Sequence, residues 1–296
     1  MTEFNPSSRS AGTESMTAES VVLDALQFAH QSTGAARYLR VYEQLHQIMA
    51  RNAATATHPA PQTLLGPADA ERIRIVCATR KDRESFYTET ALGKSLALYW
   101  PPTVDIRLFS RNARGLSVVY NSVIAECRDD PAILLFIHDD IHLCDYFWST
   151  RLREGLGAFD IVGLAGSRRR VPRQPGWGYV DERMRGDDPE NFSGIVGHGP
   201  GYPSEIVSVF GPSGRSVKLL DGLFLAARSA TLHAKAVRFD ERFDFHFYDL
   251  DFCRQAEQGG LTLGTWPISV VHESRGGYVS EGWRRNYDRY LDKWQD

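Results

Sequence analysis

The spacing of the apolar positions changes near residue 72, and this change divides the chain into two parts. Between residues 38 and 49, apolar side chains recur at steps of three and four, which predicts a helix with one buried stripe. From Ile73 onwards, short apolar runs of strand length alternate with helical stretches. We therefore predict a disordered tail (1–18), a helical extension with a linker (19–69) and a main domain (70–296).

The main domain is predicted to be an α/β fold. Strands are predicted at 73–77, 104–109, 132–137 and 160–165, and a helical stretch follows each of the first three. The run 132–137 is apolar throughout, as expected for a strand covered on both faces. Such alternation indicates a mostly parallel sheet flanked by helices, whose ligands collect at the carboxyl ends of the strands. Residues 166–218 break this rhythm and are predicted to form a long loop.

Composition and charge narrow the class of protein. The 296 residues are 42% hydrophobic and 24% charged, which is an ordinary globular mixture. The net charge of −3 argues against a nucleic-acid partner, and no apolar run approaches the roughly 20 residues that span a bilayer. The sequence starts without a signal-peptide pattern, and its four cysteines form no Cys-x-x-Cys pair. We expect a cytoplasmic protein with free thiols.

The clearest chemical signal lies where the third predicted strand ends, in the run His138-Asp139-Asp140. Alternate residues of a strand face the same side, so His138 and Asp140 project together if the strand continues. Imidazole nitrogen and carboxylate oxygen are ligands that suit Mn²⁺ or Mg²⁺. The alternative is a strand end whose polar residues are merely solvated, or a helix N-cap near Asp139.

Two later segments supply further candidates. Acidic and aromatic residues alternate up to Asp249 and Asp251, which precede a predicted helix. Either carboxylate could simply interact favourably with the helix dipole in the first turn, or it could be a general base in an aromatic pocket. His272 follows a short apolar strand and either bonds a backbone group or is a third metal ligand. Three protein ligands would leave positions open for water or substrate phosphates.

In this order and layout, the motifs resemble nucleotide-sugar glycosyltransferases of the GT-A type, specifically family 2-like members of the streptomycin-biosynthesis type. The resemblance covers residues 72–277. The run Phe-Ile-His-Asp-Asp at 136–140 is similar to the strand-ending Asp-x-Asp motif, with His138 in the first acidic slot. The run Tyr-Asp-Leu-Asp-Phe-Cys at 248–253 is similar to a Glu-Asp-x-Asp-Leu-Cys stretch, with Tyr248 in place of the Glu. The run His-Glu-Ser at 272–274 is similar to the segment that carries the last His of the family's metal site.

The resemblance implies a Rossmann-like GT-A sheet and a role for each candidate residue. Asp249 would be the catalytic base, and Asp140, His272 and His138 would hold Mn²⁺ or Mg²⁺. The residues implied to bind the nucleotide of a nucleoside diphosphate sugar are Ala78, Thr79, Arg80, Asn112, Asn121, Asp139 and Arg275. The residues implied to face a carbohydrate or other hydroxyl acceptor are Trp177, Asp221, Gly222 and Asp251. The implied reaction is one direct displacement, which inverts the anomeric carbon.

Other interpretations stay open at this point. A metal-dependent nucleotidyltransferase would also use carboxylates, although the run 77–81 lacks the glycines of its usual phosphate loop. A non-catalytic nucleotide-sugar-binding module would keep the fold and tolerate the loss of Asp249. The arginines of the stretch 168–173 could clamp a phosphate or an anionic acceptor, or they could lie on a solvated loop. The stripe at 38–49 could join two copies into a homo-oligomer.

Overall fold

The computed structural model describes residues 71–101, 103–274 and 279–295, so the predicted tail, helical extension and linker lie outside it, as does Arg275. The strands in it are β1 (Ile73–Ala78), β2 (Val104–Phe109), β3 (Ile133–Ile137), β4 (Ile141–Leu143), β5 (Ile161–Gly163), β6 (Ala165–Ser167), β7 (Phe192–His198), β8 (Ile206–Gly211), β9 (Ser216–Val217), β10 (Leu219–Leu220), β11 (Phe224–Arg228), β12 (Leu263–Thr265) and β13 (Val270–His272). The helices are α1 (Arg83–Glu89), α2 (Ala91–Leu98), α3 (Leu116–Glu126), α4 (Trp148–Ala158), α5 (Ser229–Ala234), α6 (Tyr248–Gln258) and α7 (Glu281–Trp294).

The main sheet has the strand order β2-β1-β3-β11-β5-β12-β9. β1 pairs in parallel with β2 and β3, and β5 pairs in parallel with β12. β11 runs antiparallel between β3 and β5, and Phe224 at its start lies beside Ile137 at the end of β3. The predicted α/β fold is confirmed, but the sheet is mixed rather than mostly parallel. β11 is antiparallel to β3 because the chain enters it beside the last residue of β3 and runs back along that strand.

The core is centred on β3, in which every residue is buried. This confirms that the apolar run 132–137 is a strand covered on both faces. Large side chains from the surrounding helices complete the core, among them Tyr120 of α3 and Trp148 of α4, each at most 2% exposed. Each buried side chain of this size contributes roughly 1.5–3 kcal/mol to stability, before entropy is counted. This packing fixes the strand ends on which the polar residues sit.

A second sheet has the order β10-β6-β7-β13-β4, with β8 paired to β7. Much of it comes from residues 166–218, so the prediction of a long loop there is wrong. β7 is not apparent from the hydrophobic pattern because two glycines interrupt its apolar run. One of these is Gly194, whose φ of 115° suits glycine, and where a Cβ would overlap the carbonyl oxygen of Leu164. In the described parts of the chain, no helix is long and apolar enough to cross a membrane.

The last helix, α7, is tied to α6 through Asp251. This carboxylate is fully buried and lies 2.6 Å from the ammonium group of Lys293. It also accepts hydrogen bonds from the indole N–H of Trp294 at 2.9 Å and from the amide of Gln255 at 2.6 Å. Because both oxygens are engaged by neighbouring side chains, Asp251 holds the two helices together.

We predict that Asp251→Asn lowers the free energy of unfolding by about 1–3 kcal/mol, because it leaves buried donors without an ionised partner. Urea denaturation followed by circular dichroism measures this change. The matched control is Asp292→Asn, an exposed carboxylate on α7, which should stay within about 0.5 kcal/mol of the wild type. Equal unfolding midpoints for both variants would contradict a structural role for Asp251.

Candidate active site

Two neighbouring cavities open at the carboxyl ends of the central strands. The first is about 750 Å³ and is lined by residues that follow β1, β2 and β3. The second is about 450 Å³ and lies between the end of β3, the turn before β11 and the start of α6. Phe245 lines both cavities, is 52% exposed, and its ring is stacked against His138 with the ring centroids 5.9 Å apart. A ligand that spans both cavities would pass this ring.

His138, Asp140 and His272 form a cluster in the second cavity. One ligand atom from each lies within 4.8 Å of the others, and the His272 Nε2 is 3.3 Å from the Asp140 Oδ2. The other oxygen of Asp140 is buried and has no hydrogen-bond partner among the described residues. An orphaned carboxylate oxygen beside two imidazoles is a donor set that fits a divalent transition metal such as Mn²⁺.

The two sheets together bring these three residues into one place. β4 follows Asp140 directly and pairs antiparallel with β13, so that His272 lies opposite Ile141. The backbone N–H of Glu273 also donates to the carbonyl oxygen of Asp140 at 3.0 Å. On the other side, the N–H of His138 donates to the carbonyl oxygen of Leu223 at 3.2 Å. The cluster is therefore fixed by backbone hydrogen bonds as well as by its side chains.

The surroundings of the cluster shift the pKa values of its three groups in different directions. Burial by itself would raise the pKa of Asp140, but the imidazoles of His272 and His138 lower it to about 2. Burial lowers the pKa of His138. Burial also acts to lower the pKa of His272, but its hydrogen bond to Asp140 raises it overall. Asp140 is thus ionised and His138 is neutral at neutral pH, which are the forms that ligate metals, whereas a metal that binds His272 must displace a proton from it.

Asp249 lies in the first turn of α6 and faces the same cavity. Its Oδ2 accepts a hydrogen bond from the backbone N–H of Gly222 at 3.0 Å. Burial, with the neighbouring charge of Asp221, raises the pKa of Asp249 to about 7. A carboxylate with a pKa near neutral, in a cavity walled by aromatic rings, has the properties of a general base.

A hydrogen-bonded chain links the cluster to the turn before β11. His138 Nε2 is 2.7 Å from the hydroxyl of Tyr248, which donates to the carbonyl oxygen of Gly222 at 2.8 Å. A Cβ at Gly222 would overlap this hydroxyl, so only glycine fits there. Neither the contact of Tyr248 with His138 nor the position of Phe245 between the two cavities was predicted from the sequence. The alternation of aromatic and acidic residues before α6 was the available signal, but it does not say which rings face the cavity.

Most of the residues predicted to bind a nucleotide line the first cavity, namely Ala78, Thr79, Arg80, Asn112 and Asp139. The hydroxyl of Thr79 donates to the carboxylate of Asp139 at 2.6 Å, which joins the ends of β1 and β3. Asn121 is placed elsewhere. Its amide donates to the carbonyl oxygen of Phe239 at 2.8 Å and accepts from the Phe239 N–H at 3.0 Å, so it clamps this segment to α3.

The residues predicted to face the acceptor divide in the same way. Trp177, Asp221 and Gly222 line the second cavity, and the indole N–H of Trp177 donates to Asp221 at 2.7 Å. Trp177 therefore both walls the cavity and pins its loop. Asp251 does not line this cavity, and its oxygens are engaged by Lys293 and Trp294 of α7 and by Gln255 of α6.

The arginines of the stretch 168–173 form contacts with nearby groups of the chain. Arg169 donates to Asp187 at 2.8 Å and Arg173 donates to Glu182 at 2.9 Å. Arg170 pairs with Glu257, and Arg168 donates to the carbonyl oxygen of Glu190. None of the four lines either of the two cavities. This placement favours the interpretation of a surface loop held by ion pairs.

No protein-family model matches the chain, and no curated protein matches it. Solved structures give distant similarities. S. aureus TarS 1-349 is 11% identical with a TM-score of 0.36, over 69% of this chain and 59% of that one. The mannosyltransferase PcManGT from Pyrobaculum calidifontis, in complex with GDP-Man and Mn²⁺, is 13% identical with a TM-score of 0.40, over 93% of this chain and 76% of that one. GalNAc-T7 with UDP, GalNAc and Mn²⁺ is 11% identical with a TM-score of 0.43, over 78% of this chain and 50% of that one. Similarity at this level assigns no activity.

We predict that Asp249→Asn stabilises the protein increasingly as the pH rises from 4 to 8. Asp249 has an ordinary pKa of 3.8 and a pKa of about 7 in the folded protein. Between these values the folded state holds a proton that the unfolded chain has lost, so stability falls as the pH rises. Asn removes this dependence, and the difference should reach on the order of 2–4 kcal/mol above pH 7.

Urea unfolding of both proteins at several pH values measures this difference. Asp129→Asn is the control, because it makes the same change at an exposed carboxylate that lines neither cavity. If Asp249→Asn differs from the wild type by a constant amount from pH 4 to 8, the raised pKa of Asp249 is refuted.

Proposed function

We propose that this protein is a metal-dependent, inverting glycosyltransferase of the GT-A type, which moves a sugar from a nucleoside diphosphate sugar to an acceptor hydroxyl. One observation carries this proposal: the carboxylate of Asp249 and the cluster of His138, Asp140 and His272 open into the same cavity. A metal site for a diphosphate and a base for a hydroxyl are the two parts that such a transfer needs. The resemblance of both motifs to family 2-like enzymes supports the same conclusion.

In this proposal the nucleotide occupies the first cavity. Ala78 ends β1, Thr79 and Arg80 follow it, and Asn112 follows β2, so these residues surround the nucleoside. The diphosphate reaches the ligand cluster past Phe245, which lines both cavities. His138, Asp140 and His272 would hold Mn²⁺, which supplies positive charge for the leaving diphosphate. Two imidazoles favour Mn²⁺ over Mg²⁺, since Mg²⁺ prefers a shell of oxygen ligands.

The acceptor occupies the second cavity, against Asp249. Trp177 and Trp283 present aromatic surface there, and such surface suits the apolar face of a sugar ring. Asp249 takes the proton from the acceptor hydroxyl while the oxygen of that hydroxyl attacks the anomeric carbon. The attack comes from the face opposite to the leaving diphosphate, so a single displacement inverts this carbon. The N–H of Gly222 holds the carboxylate of Asp249 in place.

The two alternative functions predict different products. A nucleotidyltransferase would join a nucleotide to a sugar phosphate and release pyrophosphate, whereas a glycosyltransferase releases a nucleoside diphosphate. A binding module would release neither product. A base with a pKa of about 7 beside the ligand cluster favours the glycosyltransferase over the binding module, since mere binding needs no proton acceptor.

We predict that Asp140→Asn weakens Mn²⁺-dependent binding of a nucleoside diphosphate. The affinity should fall by more than about tenfold, because even the removal of a residue that only hydrogen-bonds a metal ligand typically lowers metal affinity 10–100-fold. Calorimetry with UDP and GDP, in Mn²⁺ and in EDTA, measures it. Asp188→Asn removes an exposed carboxylate outside both cavities and should bind like the wild type. If wild type and Asp140→Asn bind equally well under both conditions, the metal site is refuted.

We predict that Asp249→Asn lowers kcat by roughly 10²- to 10⁴-fold, because the proton acceptor is lost while the shape is kept. The affinity for the nucleoside diphosphate should stay within about twofold, since the first cavity does not include Asp249. Release of the nucleoside diphosphate from a panel of nucleotide sugars and acceptors reports turnover.

The control for this experiment is Asp251→Asn, two residues further along α6. Its turnover per folded molecule should stay close to that of the wild type, because Asp251 is bound by α7. A near-normal rate for Asp249→Asn would remove the general base from the mechanism. If Asp251→Asn folds but has no turnover, the general base is assigned to Asp251 instead.

A further inference from the structure

The hydroxyl of Tyr248 has a role in the metal site that the motif resemblance does not supply, since Tyr248 stands where the resembling motif has a Glu. We propose that Tyr248 is a positioning residue that holds His138 in its Nε2–H tautomer, so that Nδ1 is the nitrogen that ligates the metal. This inference rests on the metal site of the proposed function. It adds the group that decides which imidazole nitrogen carries the lone pair.

The hydrogen bonds around Tyr248 define the direction of donation. Its hydroxyl has one hydrogen, and it donates that hydrogen to the carbonyl oxygen of Gly222 at 2.8 Å. The same oxygen is 2.7 Å from His138 Nε2, so it acts there as the acceptor. His138 Nε2 must then carry the hydrogen. In a neutral imidazole the remaining lone pair is on Nδ1, which is therefore free for a metal.

The reverse arrangement would leave a buried acceptor unpaired. If the hydroxyl of Tyr248 donated to His138 instead, the carbonyl oxygen of Gly222 would lose its hydrogen bond from this side chain. An unpaired buried acceptor typically costs about 1–3 kcal/mol in free energy. The arrangement in which His138 Nε2–H donates to the hydroxyl of Tyr248, and this hydroxyl donates to the carbonyl oxygen of Gly222, is therefore favoured over its reverse.

The surroundings of Tyr248 keep its hydroxyl in this position. The side chain is 2% exposed, and its ring packs against those of Tyr120 and Phe239, with centroids 5.9 Å and 6.0 Å away. Gly222 leaves space for the hydroxyl that any Cβ would occupy. Because the ring cannot rotate away, the hydroxyl is a fixed partner for His138. A hydrogen-bond partner of this kind orients a metal-ligating histidine and selects its tautomer.

The test is the affinity for Mn²⁺ itself, which requires no substrate and no turnover. Titration of the full chain with Mn²⁺, followed by electron paramagnetic resonance of the free ion, gives the dissociation constant. Tyr248→Phe should weaken Mn²⁺ binding by about 10- to 100-fold, because His138 loses the acceptor that selects its tautomer. Tyr287→Phe is the matched control. It also removes a hydroxyl that donates to a backbone carbonyl, that of Arg173 at 2.6 Å, but it does not line the cavity.

A double-mutant cycle separates positioning from a general effect on the fold. In a His138→Ala background, Tyr248→Phe should cause no further loss of Mn²⁺ affinity, because its effect passes through His138. A loss of equal size in both backgrounds would overturn the inference, and so would a Tyr248→Phe variant that binds Mn²⁺ like the wild type. If the wild type itself does not bind Mn²⁺, the metal-dependent function fails as well. The two failures are thus distinguishable.

A second measurement does not depend on whether Tyr248→Phe folds. The ¹⁵N shifts of the imidazole nitrogens in the metal-free wild type report directly which nitrogen of His138 carries the hydrogen. We expect the Nε2–H tautomer. An Nδ1–H tautomer for His138 would overturn the inference even if the variants could not be purified.

Discussion

The short turn between β10 and β11 is the constraint on which the candidate site depends. Three consecutive residues, Asp221, Gly222 and Leu223, hold groups from three other parts of the chain. Gly222 donates its N–H to Asp249 and accepts from Tyr248, and the carbonyl oxygen of Leu223 accepts from the N–H of His138. Asp221 accepts from the indole of Trp177 and from the N–H of Leu223. The spacing between the ligand cluster and the base is therefore set by backbone atoms of one turn.

Electrostatics gives the carboxylates of the second cavity different properties. Asp140 lies beside two imidazoles, which keep its pKa near 2 despite burial, so it stays ionised and can hold a cation. No imidazole is among the main groups that shift the pKa of Asp249. Burial and the charge of Asp221 raise its pKa to about 7, so it exchanges a proton near neutral pH. Pairs of titratable groups whose surroundings separate their pKa values in this way usually divide the chemistry between them.

The pattern of the sequence was sufficient for the elements that carry strong periodicity. The buried run 132–137 and the helix that starts near Asp249 correspond to β3 and α6 with small shifts in their ends. The second sheet was missed because glycines interrupt the apolar run of β7, and because pairing between distant strands leaves no local signal. The antiparallel insertion of β11 was missed for the same reason, since strand direction depends on where the chain returns to the sheet.

For the site, the sequence by itself determined the chemistry that is available: imidazole and carboxylate at the end of a buried strand, acids at the start of a helix, and a late histidine. Only the tertiary structure decided which of these side chains meet. The pairing of β4 with β13 brings Asp140 to His272, and Lys293 and Trp294 of α7 engage Asp251 while Asp249 faces the cavity. Tertiary packing likewise places the amide of Asn121 in hydrogen bonds with the backbone of Phe239. The physical reason is that residue types specify donors and acceptors, whereas their partners are fixed by long-range packing.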